Sequence, residues 1–383
     1  MPSILHVGYF HRYDDSRIVY KECRALKEHF DCEVCYVTSN RNGETDLTQI
    51  EGIKISVIPT IQKRFVRLIN YIQTVKALCE KDPPDICHIH EFVLWPLVRS
   101  LKKKNVKVFL DMHENDIFDK AEMIEWKFGK NTAKLALFVL KKLEKMYVEM
   151  SDGVISVTPQ IIDRVSSYNV PVELIANFPK TSEAIKEKSF EEINENRDVM
   201  CFAGGVSNLW GINTLIKTLE KCPGTSLLLA GRGDKEYIES LSQEDGWEHV
   251  TYFGVISHSD VIEKVYKKSG IGMALLTCKD SWLGTEGTLG NTKIFEFMQA
   301  GLPVISTDFS IWKEILFENN CGIVVDPYDV DQVIEAVKLL RNHPRLAFEM
   351  GKNGQKAIRD KYNWEIEEKK LISFYEKNGG LNK

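Results

Sequence analysis

Three observations predict an α/β protein of two domains, each built on a parallel sheet. Strand-like and helix-like segments alternate along the whole 383-residue chain, the pattern of parallel strands covered by helices. A chain of this length exceeds one ordinary core and suits two domains of roughly 150–200 residues each. Near the middle, residues 178–198 are charged and poor in large apolar groups, which reads as a linker. The expected domains are therefore 1–178 and 179–363.

Taken in order, Ile4–Tyr9 is a strand, 10–15 a loop, and Ser16–Phe30 a helix with Ile18, Val19, Cys23, Leu26 and Phe30 inward. Strands at 33–38 and 53–58 follow, then an amphipathic helix over 63–79 with a basic start. Asp85–His90 is a strand, 93–104 a helix, and Val106–Asp111 a strand whose exit carries His113 and Glu114. Ligands of open α/β sheets bind beyond the carboxyl ends of strands, so these two residues are site candidates. A long lysine-rich helical region spans 119–150, with Leu135, Phe138, Val139 and Leu143 on one stripe. Strands 153–157 and 172–175 flank a helix over 159–167.

After the linker, strand 199–203 runs into Gly204-Gly205, with a helix over 211–220. Strand 226–230 ends in the turn Gly231-Arg232-Gly233. Helices over 235–243 and 258–268 and strands over 250–253 and 271–275 come next. An irregular loop, 278–290, feeds a helix in which Ile294, Phe297 and Met298 share one face. Gly301 ends that helix, and Val304-Ile305-Ser306 reads as a buried strand. Helix 310–316, strand 322–325 and three helices complete the chain.

The start of the 291–300 helix carries the clearest chemistry. Gly290 and Asn291 read as turn and N-cap, with Thr292 and Lys293 in the first turn and Glu296 one turn further. Free N–H groups and the dipole at a helix start attract anions, and a lysine there adds charge. The acid suits a pair of neighbouring hydroxyls. A plain surface ion pair between Lys293 and Glu296 fits the spacing equally well.

Composition narrows the function classes. Hydrophobic residues make up 43% and charged residues 27%, ordinary for a globular protein. The net charge of −5 is uneven: residues 1–180 carry +2 and the remainder −7. That asymmetry is compatible with a first half that meets an anionic surface. The first residues lack the features of a signal peptide, and no run of 18 apolar residues exists. Nine scattered cysteines suit a reducing cytosol. The single C-x-x-C, Cys32 and Cys35, lies in a strand without a second pair, and no other spacing suggests a metal site. No basic patch interleaved with aromatics suggests nucleic acid.

The 290–308 stretch resembles the donor-binding helix of GT-B fold glycosyltransferases of the "glycosyl transferases group 1" or family 4 class, P-x-K-x-F-E-Y-M-x-x-G-x-P-V-I. Asn291, Lys293, Phe295, Glu296, Met298, Gly301, Pro303 and Val304 fit that pattern. The segments VKVFLDMHEND, SDGVISVTPQI, VELIANFP and SIWKEILFENNCGIVVDPYD resemble further family segments in the right order. The resemblance implies two Rossmann-like domains facing each other across a cleft, the first binding an acceptor and the second a nucleotide sugar. It also implies a last helix, about 364–383, that crosses back to the first domain.

By the same resemblance, a UDP- or GDP-linked sugar passes to a hydroxyl of a glycan or lipid-linked acceptor in cell-surface polysaccharide biosynthesis. The configuration is retained, and neither metal nor other cofactor takes part. The implied catalytic groups are His113, Glu114 and Glu286. The implied donor-binding residues are Gly204, Gly205, Gly231, Arg232, Asn291, Thr292, Lys293 and Glu296. Arg17, at the first strand–helix turn, matches a family D-x-R and is a candidate for acceptor or phosphate.

The chain departs from the family at Gly205, usually arginine, at Trp210, usually lysine, and at Thr288, usually the first acid of an E-x7-E pair; Glu286 lies close to that position. A sugar-nucleotide 2-epimerase and a non-catalytic subunit of a glycan-assembly complex share the fold and stay open as alternatives. The expected location is the cytoplasm. Basic helices 63–79 and 126–146 suit peripheral contact with the inner membrane face. The sequence does not fix the oligomeric state.

Overall fold

The computed structural model describes residues 1–40, 49–59, 64–113, 115–183, 185–277 and 286–381. The chain divides into two compact units: Met1–Asn177 together with Glu365–Lys383, and Phe178–Trp364. Each is an α/β unit on its own parallel sheet, the fold class the alternation predicts.

The first sheet has eight strands: β1 (Ser3–Val7), β2 (Glu33–Asn40), β3 (Gln49–Ile50), β4 (Ile53–Pro59), β5 (Ile86–Ile89), β6 (Lys107–Met112), β7 (Gly153–Ser156) and β8 (Val172–Leu174). Their order is β3-β4-β2-β1-β5-β6-β7-β8, parallel except for the β3–β4 pair. The central strands are largely buried, as parallel strands covered by helices are. The helix Arg64–Lys81 buries Tyr71, Val75 and Cys79, four residues apart, against this sheet. Such burial contributes roughly 1.5–3 kcal/mol per large side chain.

The second sheet has six parallel strands: β9 (Val199–Ala203), β10 (Ser226–Ala230), β11 (Val250–Tyr252), β12 (Ile271–Ala274), β13 (Val304–Thr307) and β14 (Gly322–Val325). Their order is β11-β10-β9-β12-β13-β14. Strand order reverses between β1 and β5 in one sheet and between β9 and β12 in the other. At such switch points the loops after the strands part and leave a crevice.

Four sequence expectations change. The long helical region is two helices, Asp116–Phe128 and Lys130–Met150, separated by Gly129 at φ +85°. The helix after β1 opens as a π-helical segment, Ile18–Cys23, before Arg24–His29. The charged middle stretch is not an open linker. It holds the helix Phe190–Glu195, started by a capping box of Ser189 and Glu192 and anchored by buried Ile193. The helix expected to be capped by Asn291 starts at Lys293, with Thr292 as N-cap and no side-chain cap bond.

Candidate functional site

In the second unit, the loops after β9 and β10 are tied together. The Gly204 N–H donates to the Ala230 carbonyl at 2.9 Å and the Val206 N–H to the Arg232 carbonyl at 2.8 Å. Gly231 sits at φ +128°, and a Cβ there would lie 1.7 Å from the Gly204 carbonyl oxygen. Only glycine lets the two loops meet so closely. A Cβ on Gly205 would meet nothing within 4 Å. The result is a cavity of about 420 Å³ lined by Gly204, Gly205, Gly231, Arg232, Lys293 and Glu296 among others.

Those six are donor-site candidates of the sequence. Asn291 and Thr292 do not line the cavity, but Thr292 supports it: its hydroxyl donates to Glu296 Oε1 at 2.5 Å. Glu286 is exposed and also outside the lining; its backbone carbonyl accepts from Ile311.

Glu296 is the hub of this cavity. Lys293 Nζ reaches both its oxygens, at 2.8 and 2.7 Å, and the Tyr266 hydroxyl donates to Oε2 at 2.7 Å. Burial works against the carboxylate's charge, but Lys293 and the hydroxyls of Thr292 and Tyr266 outweigh it and hold Glu296 down at about 2. Tyr266 is pushed well above its ordinary value by burial and by Glu296, so it keeps its proton and donates. Lys293 and Glu296 thus form the i, i+3 pair that the spacing allowed, but at a cavity wall, with their side chains only 18% and 20% exposed.

Sequence reasoning missed Tyr266, as well as His258 and Val261 in the lining. Tyr266 lies 30 residues from the acid it touches, and no local motif marks it.

The first unit holds a different arrangement. His6 pairs in register with His88 across β1 and β5, and β6 runs beside β5. The two-residue period of strands puts His88 and His90 on one face. His6 Nδ1 lies 2.9 Å from His90 Nε2, and His90 Nδ1 lies 3.2 Å from His113 Nε2. His113 Nε2 is also 3.1 Å from Asp111 Oδ2. His113 is 15% exposed at its side chain, while Asp111 is fully covered. Glu114 lies outside the described residues.

Arg17 is not at the surface. It is buried, with Nε 2.8 Å from Glu22 Oε1, a terminal nitrogen 3.3 Å from Asp111 Oδ2, and another donating to the Ile175 carbonyl at 2.9 Å. It is therefore an internal counter-ion rather than an acceptor-facing group. Burial and the facing Asp111 push Glu22 well up, although Arg17 opposes the shift. Asp111 is held well down: burial is outweighed by His113 and Arg17. Burial keeps His6 and His88 neutral.

Family models match nearly the full chain. The model for Glycosyltransferase Family 4 matches residues 16–182, and that for Glycosyl transferases group 1 matches residues 183–357. The chain is a GT-B glycosyltransferase. The spore coat protein SA of Bacillus subtilis is 22% identical over 328 residues, 80% of this chain and 82% of that protein. A phosphatidyl-myo-inositol mannosyltransferase of Mycobacterium leprae is 25% identical over 166 residues, 43% of this chain and 41% of that protein.

Among solved structures, the sucrose-phosphate synthase of Thermosynechococcus elongatus superposes with a TM-score of 0.73 at 19% identity, covering 98% of this chain and 99% of that one. HepE of Anabaena, solved with UDP and glucose, gives 0.72 at 12% identity, covering 98% and 100%. At these identities the structural likeness speaks for the fold alone. Group 1 glycosyltransferases use nucleotide-sugar donors, which gives the second unit's cavity a chemical context. Among the described residues no helix is long and apolar enough to cross a membrane.

Proposed function

We propose that the second unit's cavity binds the nucleotide diphosphate of a UDP- or GDP-linked sugar and that the enzyme transfers the sugar to a hydroxyl of a glycan or lipid-linked acceptor. The observation that carries this is the Lys293–Glu296 pair on the wall of a glycine-floored cavity. The glycines admit close approach of phosphates to backbone, and Lys293 and Arg232 supply positive charge. An arriving diphosphate competes with Glu296 for Lys293. Glu296, still held by Thr292 and Tyr266, then turns its free acceptor capacity to the ribose hydroxyls.

The proposed reaction retains configuration and needs no metal at the donor. The departing diphosphate takes the acceptor's proton, and His113 is the first unit's candidate catalytic group. The protein contributes positioning and charge stabilisation.

Calorimetric titration of UDP, GDP and their nucleosides tests the donor site. Lys293→Ala should weaken diphosphates far more than nucleosides. Glu296→Ala should weaken both about equally, by about 1.5–3 kcal/mol, the range for hydrogen bonds to a charged group. Unchanged binding in both folded variants would show an ordinary ion pair. C2 epimerisation of the donor without transfer would support the epimerase reading instead.

The acceptor reading gains support from the helices Asp116–Phe128 and Lys130–Met150. Trp126, Phe128, Leu135 and Phe138 are 84%, 69%, 66% and 56% exposed, beside Lys127, Lys130, Lys134 and Lys142. Apolar side chains standing free among lysines suit an anionic lipid surface. Co-sedimentation with phosphatidylglycerol vesicles should succeed at low salt and fall for Trp126→Ser with Phe128→Ser. Equal sedimentation with neutral vesicles, or no loss in the double variant, contradicts this part.

A further inference from the structure

Glu22, His88, His90 and Asp111 come from three parts of the first unit: the π-helical segment after β1, β5 with its exit, and β6. All four are buried, and one ligand-type atom from each lies within 4.8 Å of every other. They stand at positions 22, 88, 90 and 111, so only the His88-x-His90 pair is close in the chain and the full ligand set is not visible in it.

The distances between them are the first argument. His88 Nε2 lies 3.8 Å and His90 Nδ1 3.5 Å from Asp111 Oδ2. The longer separation is beyond a hydrogen bond and the shorter marginal. Both are close to what two ligands of one ion require. Bonds of about 2.0–2.2 Å to a tetrahedral ion put ligand atoms roughly 3.3–3.6 Å apart.

The second argument is polar satisfaction. Among the described residues, His88 Nε2, Asp111 Oδ1 and Glu22 Oε2 are fully covered without a hydrogen-bond partner, while Glu22 Oε1 meets Arg17 Nε at 2.8 Å. Buried polar atoms are nearly always satisfied, and an ion or a water explains exceptions. A proton shared between Glu22 and Asp111 would serve the acids but leave His88 Nε2 unmet.

The third argument is the outer contacts. Metal-binding histidines normally engage the other ring nitrogen with a partner that fixes the ring. His88 Nδ1 lies 2.6 Å from the Tyr375 hydroxyl, and His90 Nε2 lies 2.9 Å from His6 Nδ1. Each ring therefore turns its remaining nitrogen to the cluster, where His90 Nδ1 also lies 3.2 Å from His113 Nε2, a contact that an ion would replace.

We propose that Glu22, His88, His90 and Asp111 form a binding site for one divalent first-row metal ion, with zinc best suited to the two-nitrogen, two-oxygen set. Its role is structural. Through His88 and Tyr375 it ties the C-terminal segment to the first sheet. The site is separate from the donor cavity, which belongs to the other unit.

The full-length protein, stripped with chelator and dialysed, is titrated with Zn²⁺ and with Co²⁺. One equivalent per chain should bind, and Zn²⁺ should raise the unfolding midpoint by several degrees. Co²⁺ should give the strong visible bands of a tetrahedral site without thiolate charge transfer. No stoichiometric uptake with an unchanged midpoint overturns the proposal, as do thiolate bands, which would place the ion on cysteines. His88→Gln and Glu22→Gln should each abolish the equivalent; retention in a folded variant also overturns it. If both variants fail to fold, the cobalt spectrum of the parent decides alone. UDP titration of the same samples, with and without Zn²⁺, reads the donor cavity independently, so failure of one proposal is distinguishable from failure of the other.

Discussion

Both units gather polar side chains where strand order reverses in a parallel sheet, yet one place is filled and the other open. In the first unit the strand ends carry His88, His90 and Asp111, with Arg17 and Glu22 packed over them, and almost no water-accessible surface remains. In the second unit the equivalent ends carry Gly204, Gly205 and Gly231, and a cavity remains. The same topology thus supplies a crevice twice, and side-chain volume decides whether it becomes core or site. A charge in the filled crevice must be met there by a partner such as Arg17 or by the ion proposed above. In the open one, Lys293 and Glu296 meet each other and remain reachable by a ligand.

Breaking the filled side should give the largest effect. Arg17→Met leaves Glu22 and Asp111 facing each other without their cation. Removing one partner of a buried ion pair costs about 3–5 kcal/mol. Urea unfolding should show this loss in the first unit. A loss below about 1 kcal/mol would mean the cluster rearranges freely and is not the closed counterpart described here.

Gly231→Ala should be next and should act on the open side. Its φ belongs to a region essentially reserved for glycine, worth about 1–3 kcal/mol in strain, and the added Cβ collides with the Gly204 carbonyl. Nucleotide binding should fall with stability, because the loops after β9 and β10 must separate. Binding at parental strength would mean the cavity floor takes no part in recognition.

The smallest effect is on pH dependence. Glu296 titrates at about 2 rather than at its ordinary 4.5. A carboxylate with a lowered folded-state value stabilises above its unfolded value and loses that contribution as pH falls. The parent should therefore lose stability relative to Glu296→Gln as pH drops below about 4.5 and continue to lose it toward about 2. A constant difference across that window would mean that Lys293, Thr292 and Tyr266 do not hold the charge.

The order of elements, the two largely parallel sheets and the pairing of Lys293 with Glu296 were legible because they rest on local signals: apolar periodicity, glycine punctuation and a K-x-x-E spacing. The break at Gly129 was legible in principle, since glycine at a positive φ ends a helix. The capping box at Ser189 and Glu192 was likewise present in the charged stretch read as a linker, where overall charge obscured it. The apolar stripe of Leu135 and Phe138 was visible, but its exposure was not, because a period shows which residues share a face and not whether anything covers it.

The sequence by itself determined the alternation of strands and helices and most of their places along the chain. Tertiary structure alone decided that Tyr266 reaches Glu296, that Arg17 turns inward, and that residues 22, 88, 90 and 111 meet. The physical reason is range. Periodicity, caps and turns act within a few residues. A contact between neighbouring strands of a parallel sheet requires a crossover of a dozen residues or more, across which no local pattern carries the pairing.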